Sequence, residues 1–204
     1  MKNRLKRRFE YLYKGEGFAI LTFIFLVPFV SYTYPNLQLF SLISFWVSFF
    51  LLEFILIQGT YYWYSKWKRL TTENISITPK KTVTYLRKLK VVNIWILILA
   101  VIAVIIDISM YYPSLPMAGL IVSGCILIFA FLEFINYFYI QLSYDNRSDL
   151  QYLLRTRKLK RSCLSRDFKQ MNEWLVYDRQ SLLPYFVKKH LFCQSDKIDV
   201  FLIF

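Results

Sequence analysis

Two carboxylates stand inside the apolar runs of this chain. Glu53 lies in FLLEFILIQGTYYWY (50–64) and Glu133 in AFLEFINYFYIQLSY (130–144). An acid in such a run is costly unless it faces protein or water, so it marks a site worth reading. Helical spacing puts Trp46, Phe49, Ile57, Thr60 and Tyr64 on the face of Glu53. The face of Glu133 carries Ile126, Phe129, Tyr137, Ile140 and Tyr144, with Asn136 beside it. Two chemistries suit these positions. One is uptake and release of a proton or cation, with Thr60, Asn136 and Tyr137 as neighbours. The other is a carboxyl held in a hydrogen bond between helices. Both faces are aromatic and mostly apolar, whereas a water-filled path calls for more Ser, Thr, Asn and Gly. The pattern therefore favours the structural bond.

The elements that must position these acids are membrane helices. The 204 residues are 56% hydrophobic and 20% aromatic, more than a soluble core of this size can bury. The excess sits in four runs near 18–34, 39–62, 91–110 and 117–142. Each is close to the ~20 residues a helix needs to cross the hydrocarbon layer while satisfying its own backbone. The expected fold class is thus an all-α integral membrane protein, a four-span bundle over 1–142 followed by a basic, mainly helical cytoplasmic tail over 143–204.

The net charge of +13 is distributed by side. Six basic residues precede the first run, eight lie between Lys66 and Lys90, and twelve follow Leu142, which accounts for all 26. The connections SYTYPNLQ (31–38) and MYYPSLPM (110–117) have none. Retention of Lys and Arg on the inner side predicts a multi-pass protein of the plasma or inner membrane with both termini and the middle loop cytoplasmic. The basic start followed by an apolar run resembles a signal peptide, but VPFVSYTYP offers no small-residue cleavage site, so the first run is expected to stay as a helix.

The two halves read as tandem related hairpins, with repeats expected over 11–70 and 85–150. YPNL (34–37) answers YPSL (112–115), LEFI recurs at 52–55 and 132–135, and YLYK (11–14) answers YLRK (85–88). Such a duplication predicts a compact bundle in which sequence neighbours run antiparallel. Gly119 and Ser123 give the fourth span a small-xxx-small spacing suited to close packing inside that bundle, and Asp107, near the end of the third, suits a solvated or capping role.

In the middle loop, Thr78 and Pro79 read as the N-cap and first position of a helix that runs into the third span. In the tail, Ser148 and Gln151 fit a capping box that starts a helix over 149–161. Leu150, Leu153 and Leu154 give that helix an apolar face, and Arg155, Arg157, Lys158, Lys160 and Arg161 surround it. Its position after a span suits anionic lipids at the cytoplasmic surface. A second helix is expected over 167–177 with Phe168, Met171 and Leu175 inward and Trp174 beside them, and KIDVFLIF (197–204) as a strand or a docked tail.

Catalytic signatures are absent. His190 is the single histidine, the five glycines form no phosphate loop, and Cys125, Cys163 and Cys193 have no metal-ligand spacing. No catalytic residue, metal or cofactor is assigned, and nucleic acid is not an expected partner. The expected function is that of a non-enzymatic accessory, regulatory or immunity-type component acting through contact with a membrane or cytoplasmic protein, with homo-oligomerisation left open. The alternative is a small proton- or cation-coupled transporter or channel that uses Glu53 and Glu133.

Overall fold

A computed structural model describes residues 2–142, 151, 155 and 159–178, the last seven by backbone alone. Its described elements are five helices: α1 (Lys2–Thr33), α2 (Ile43–Thr72), α3 (Lys80–Tyr111), α4 (Met117–Phe138) and α5 (Cys163–Asp178). Helices α1 to α4 are all long and apolar enough to cross a membrane. Two single turns of 3-10 helix, Pro35–Leu37 and Leu39–Ser41, fill the connection between α1 and α2. The four long helices alternate in direction. Two ends result: a connector end holding 34–42 and 112–116, and a basic end holding the N-terminus, the 73–79 loop and α5.

The helices overrun the apolar segments. Helix α1 extends back through the basic arm and α2 continues ten residues past residue 62. A helix propagates wherever intrahelical bonds and packing continue, and aromatic rings supply that packing here. Tyr13 contacts Tyr64 and Trp67 at centroid distances of 5.7 and 5.4 Å, and Phe9 contacts Trp63 at 5.8 Å. In contrast, α4 stops at Phe138, because Ile140 pairs with Arg161 in an isolated antiparallel bridge. The Gln141 N–H donates to the Lys160 carbonyl at 2.8 Å and the Ser162 N–H to the Tyr139 carbonyl at 3.2 Å.

That bridge corrects the expected tail. Residues 159–162 are not helical, so a helix cannot run to 161. Arg155 is helical and exposed, Lys160 is half-buried and Arg161 is exposed. Arg157, Lys158, the Ser148 cap, Leu150, Leu153 and Leu154 lie outside the described residues, as do His190, Cys193 and 197–204. The second tail helix starts four residues earlier than expected. Ser162 caps it: its Oγ accepts the Ser165 N–H at 3.1 Å and donates to the Tyr137 carbonyl at 2.6 Å. Phe168 packs on the core and Met171 accepts the Thr84 hydroxyl, as the expected inward face requires. The side chains of Trp174 and Leu175 are not described. At the start of α3 the expected cap also differs: Pro79 takes the N-cap position, while the Thr78 hydroxyl donates to Asp167.

The centre of the bundle is α2. It packs along α1, α3 and α4, whereas α3 and α4 touch each other much less. Within the most apolar stretch, 56% of α2 is buried, against 22% of α3 and α4 and none of α1. The arrangement is therefore a hub with three neighbours rather than a ring of antiparallel neighbours. Large apolar side chains along the outer faces, such as Phe18, Phe25, Trp95, Ile105 and Ile121, are exposed, as lipid contact allows.

Buried polar bonds fix the hub. Asp107, at the end of α3 and fully buried, accepts the Ile43 N–H at 3.1 Å and the Ser44 N–H at 2.7 Å. It caps α2 from a neighbouring helix and satisfies two of its orphan amides. Ser123 of α4 donates to Ser44 at 3.0 Å, and Gly119 lies so close to the Leu37 carbonyl and Leu42 that a Cβ would clash. Gly119 and Ser123 thus pack within the bundle. Midway along, Gln58 and Asn93 exchange two amide hydrogen bonds, both 2.9 Å, between α2 and α3. Interhelical bonds of this kind are worth ~0.6 and up to ~1.7 kcal/mol each in a membrane.

If Asp107 holds the start of α2, Asp107→Ala should cost about 2 kcal/mol, because two buried amides lose their acceptor. Thermal unfolding in detergent should fall by roughly 4–8 °C for a chain of this size. Asp107→Asn keeps one carbonyl acceptor and should lose less.

Candidate functional site

The described residues line a partly open cavity of about 450 Å³ between α1, α2, α4 and α5, toward the basic end. Its layers follow from helix direction. Phe23, Leu56 and Phe129 lie deepest, Glu16, Glu133, Asn136 and Tyr137 form the middle, and Arg8, Lys66, Arg166 and Asp167 stand nearest the basic end. Lys66 is seven residues beyond Gly59, so about 10 Å separates these levels along α2.

The middle layer brings together one expected acid and one that the sequence reading passed over. Glu133, Asn136 and Tyr137 all line the cavity. They lie within one turn or so of α4, as the spacing predicts. Asn136 Nδ2 donates to Glu133 Oε2 at 3.3 Å, and Asn136 Oδ1 accepts the Leu142 N–H at 2.8 Å. The acid facing Glu133 is Glu16 of α1, close enough for the two charges to interact. The Tyr137 hydroxyl and the Trp63 indole are turned toward the Glu16 carboxylate. Glu16 Oε2 is buried and has no hydrogen-bond partner among the described residues.

Gly59 makes this meeting fit. A Cβ at that position would stand 2.5 Å from Glu16 Oε2 and 2.6 Å from the Tyr137 hydroxyl oxygen. The missing side chain lets α1 and α4 reach across α2 at one level.

Glu53 is elsewhere. It is buried on α2, both carboxylate oxygens lack a hydrogen-bond partner among the described residues, and it does not line the cavity. Thr60 is half-buried, its Oγ1 also lacks a partner, and it is not at the cavity either. The structure therefore separates the two acids of the LEFI segments. An interhelical hydrogen bond from Glu53, favoured on sequence grounds, is not present among the described residues. Among the described residues Glu133 bonds only along its own helix, to Asn136.

At the mouth, one oxygen organises the contact between bundle and tail. Asp167 Oδ2 accepts the Tyr62 hydroxyl at 2.8 Å and the Thr78 hydroxyl at 2.5 Å, and lies 3.2 Å from Lys66 Nζ. Lys66 is itself buried, with its ammonium 4.7 Å from the Tyr62 ring centroid and 5.8 and 6.0 Å from those of Trp63 and Phe9. A buried ammonium is tolerated only where a carboxylate and aromatic faces replace water, and here both do so. Asp167 thereby joins α2, the 73–79 loop and α5. Arg166 lies beside it and donates to Cys163 Sγ at 3.3 Å.

The signals for the missed residues were present but weak. Glu16 sits in KGEGF at the edge of an apolar run, where an acid reads as part of the solvated arm. Gln58 and Asn93 are polar residues in mid-span, and the criterion that singled out Glu53 reaches them once amides are counted with acids. Asp167 carries no sequence signal, because its partners are 89 to 105 positions away.

Comparison with known proteins finds no matching family model, no similar curated protein and no matching solved structure. The site is therefore read from its own geometry.

Removing the Asp167 carboxylate leaves Lys66 buried without its counter-ion, a loss of order 3–5 kcal/mol for a buried pair. In Asp167→Ala that penalty should fall on the docking of α5, and Cys163, its first residue, should react with maleimide on the order of a hundredfold faster than in the parent. Cys125, exposed on the outer face of α4, should keep its rate and serves as the internal control.

Proposed function

We propose that this chain is a multi-pass protein of an inner or plasma membrane that works without catalysis, as an accessory, regulatory or immunity-type component acting through protein contact. In this reading both termini and the 73–79 loop are cytoplasmic, since every Lys and Arg falls at the basic end or in the tail. The basic residues after α4 meet anionic lipid at that surface, and the contact element is the tail that α5 begins. The likeness between the hairpins over 11–70 and 85–150 belongs to the same reading, as a duplication whose copies have taken different positions around α2.

The observation that carries the proposal is the Asp167 node. A tail helix held by Tyr62, Thr78 and Lys66 at one buried oxygen is presented in a set pose on the bundle. An element that merely trailed from the last span would need no such anchoring. Closure of the connector end by Asp107, Ser44, Ser123 and Gly119 further supports a bundle that is not a conduit.

A second reading, a proton- or cation-coupled transporter or channel, is favoured by one observation. Glu16 and Glu133 face each other in a cavity. In that reading the working pair is Glu16 with Glu133, rather than Glu53 with Glu133.

One pair of measurements separates the two. A photo-crosslinking residue replaces Lys169, which is exposed on α5, in cells producing the protein at low level. The contact reading expects one discrete heavier adduct that disappears when Asp167→Ala is added. It also expects reconstituted vesicles to pass protons and monovalent cations no faster than empty ones. Flux above that background that is lost in Glu133→Gln, without any adduct, would reject contact in favour of transport.

A further inference from the structure

The cavity holds a charge arrangement that the contact reading does not use. Its basic groups are engaged: Lys66 lies 3.2 Å from Asp167 and among three rings, and Arg166 donates to Cys163. Its two inner acids are not engaged in the same way. Neither Glu16 nor Glu133 has a Lys or Arg partner among the described residues: Asn136 donates to Glu133, Tyr137 and Trp63 are turned toward Glu16, and Glu16 Oε2 has no hydrogen-bond partner among those residues. Around these carboxylates stand Phe9, Phe23, Trp63, Phe129 and Tyr137. Two acids without a counter-ion inside an aromatic wall form a site that attracts positive charge and an apolar body together. Ring faces and carboxylates both favour a cation, and a weakly hydrated organic cation loses least on leaving water.

Access fits the same chemistry. Helices α1 and α4 each pack along α2 but touch one another little, meeting at the Phe23 and Phe129 rings, 6.1 Å apart, and where Tyr137 turns toward Glu16. The cavity lies in the gap between them, beside outer faces that bear exposed Phe25 and Phe131. An apolar cation partitioned into lipid would meet the cavity from that side, away from Arg8, Lys66 and Arg166 at the basic end. The volume of about 450 Å³ lies within the range of pockets that enclose small organic molecules.

We infer that this cavity is a binding site for a lipophilic organic cation, with its charge at Glu16 and Glu133 and its apolar body against Phe23, Leu56 and Phe129. The site stands independently of the contact function: a ligand there neither requires nor forbids a protein partner on α5.

The test uses full-length protein in an uncharged maltoside detergent and radiolabelled tetraphenylphosphonium as the probe. Saturable binding at one site per chain is expected. Glu16→Gln and Glu133→Gln should each weaken it by about tenfold or more, as loss of a close charge pair does. Glu53→Gln, away from the cavity, should change it by less than about twofold, since sites that share no partner act independently. Ala19→Phe, which fills the cavity while leaving both acids, should abolish it. A measurement without any change to the site guards against misfolded variants. In protein carrying Cys125→Ser and Cys193→Ser, the probe should slow maleimide alkylation of Cys163, which lines the cavity. Absence of saturable binding, unchanged affinity in both Gln variants, or equal binding of the anion tetraphenylborate would each overturn the inference.

Discussion

In an apolar slab no water is at hand to satisfy a polar group, so a partner within the protein is what relieves the cost of placing one there. Helix α2 shows what that constraint imposes on this chain. At the connector end its first amides are capped by Asp107 of α3. In its middle Gln58 exchanges bonds with Asn93 of α3. Toward the basic end Tyr62 and Lys66 converge on Asp167 of α5. These contacts lie at three heights and fix both the position and the rotation of α2. A helix pinned in this way can serve as the hub for neighbours that are less firmly held. The remaining packing, from the Leu39–Leu42–Phe45 cluster to the Phe134–Phe138–Phe168 stack, is arranged around it.

The class of fold was legible because its signal is one-dimensional. Spanning length, apolar composition and the gathering of Lys and Arg into alternate segments are properties of contiguous sequence, and they predicted four long apolar helices and their connections. What escaped the reading depends on distance in space. Nothing near Asp167 in sequence announces Tyr62 and Thr78, and nothing near Glu16 announces Gly59 and Tyr137. Helix ends were also misjudged where a distant group set them. The Thr78 hydroxyl goes to Asp167 rather than to the α3 amides, and the pairing of Ile140 with Arg161 ends the run expected to reach residue 142. Ser162 was a local signal that could have been used, since a serine before a helical stretch is a common cap. Of the candidate site, Glu133, Asn136 and Tyr137 were legible because one helix face carries them. Their opposing acid was not, since it comes from the first helix.

The two LEFI segments make the same point in another way. Read as a repeat, they assign equal roles to Glu53 and Glu133. In the fold, Glu53 is sealed on the central helix, whereas Glu133 opens into a cavity on a peripheral one. Similar local sequence secures a similar helix, but the environment of its acid depends on which neighbours the helix acquires. Helix α2 is covered on three sides and α4 on fewer. An acid in equivalent register is therefore isolated in the first case and placed opposite a second carboxylate in the other.

The same asymmetry sets where the molecule can respond. Helices α2 and α3 are joined by buried hydrogen bonds at two levels, and shifting one against the other breaks bonds that lipid cannot replace. Helix α1 is held to α2 by apolar packing, with Phe9 on Trp63, Tyr13 on Tyr64 and Trp67, and Ala19, Ile20, Val27 and Val30 against the core, and no residue in its apolar stretch is buried. Ring contacts tolerate sliding better than directional bonds do, because dispersion is spread over many atoms. The wall of the cavity that carries Glu16 is thus held to α2 by packing. The opposite wall is fixed by α2, and the mouth by Asp167. The Phe9 ring of α1 lies 6.0 Å from the Lys66 ammonium, so α1 borders both the two facing acids and the ion pair with Asp167.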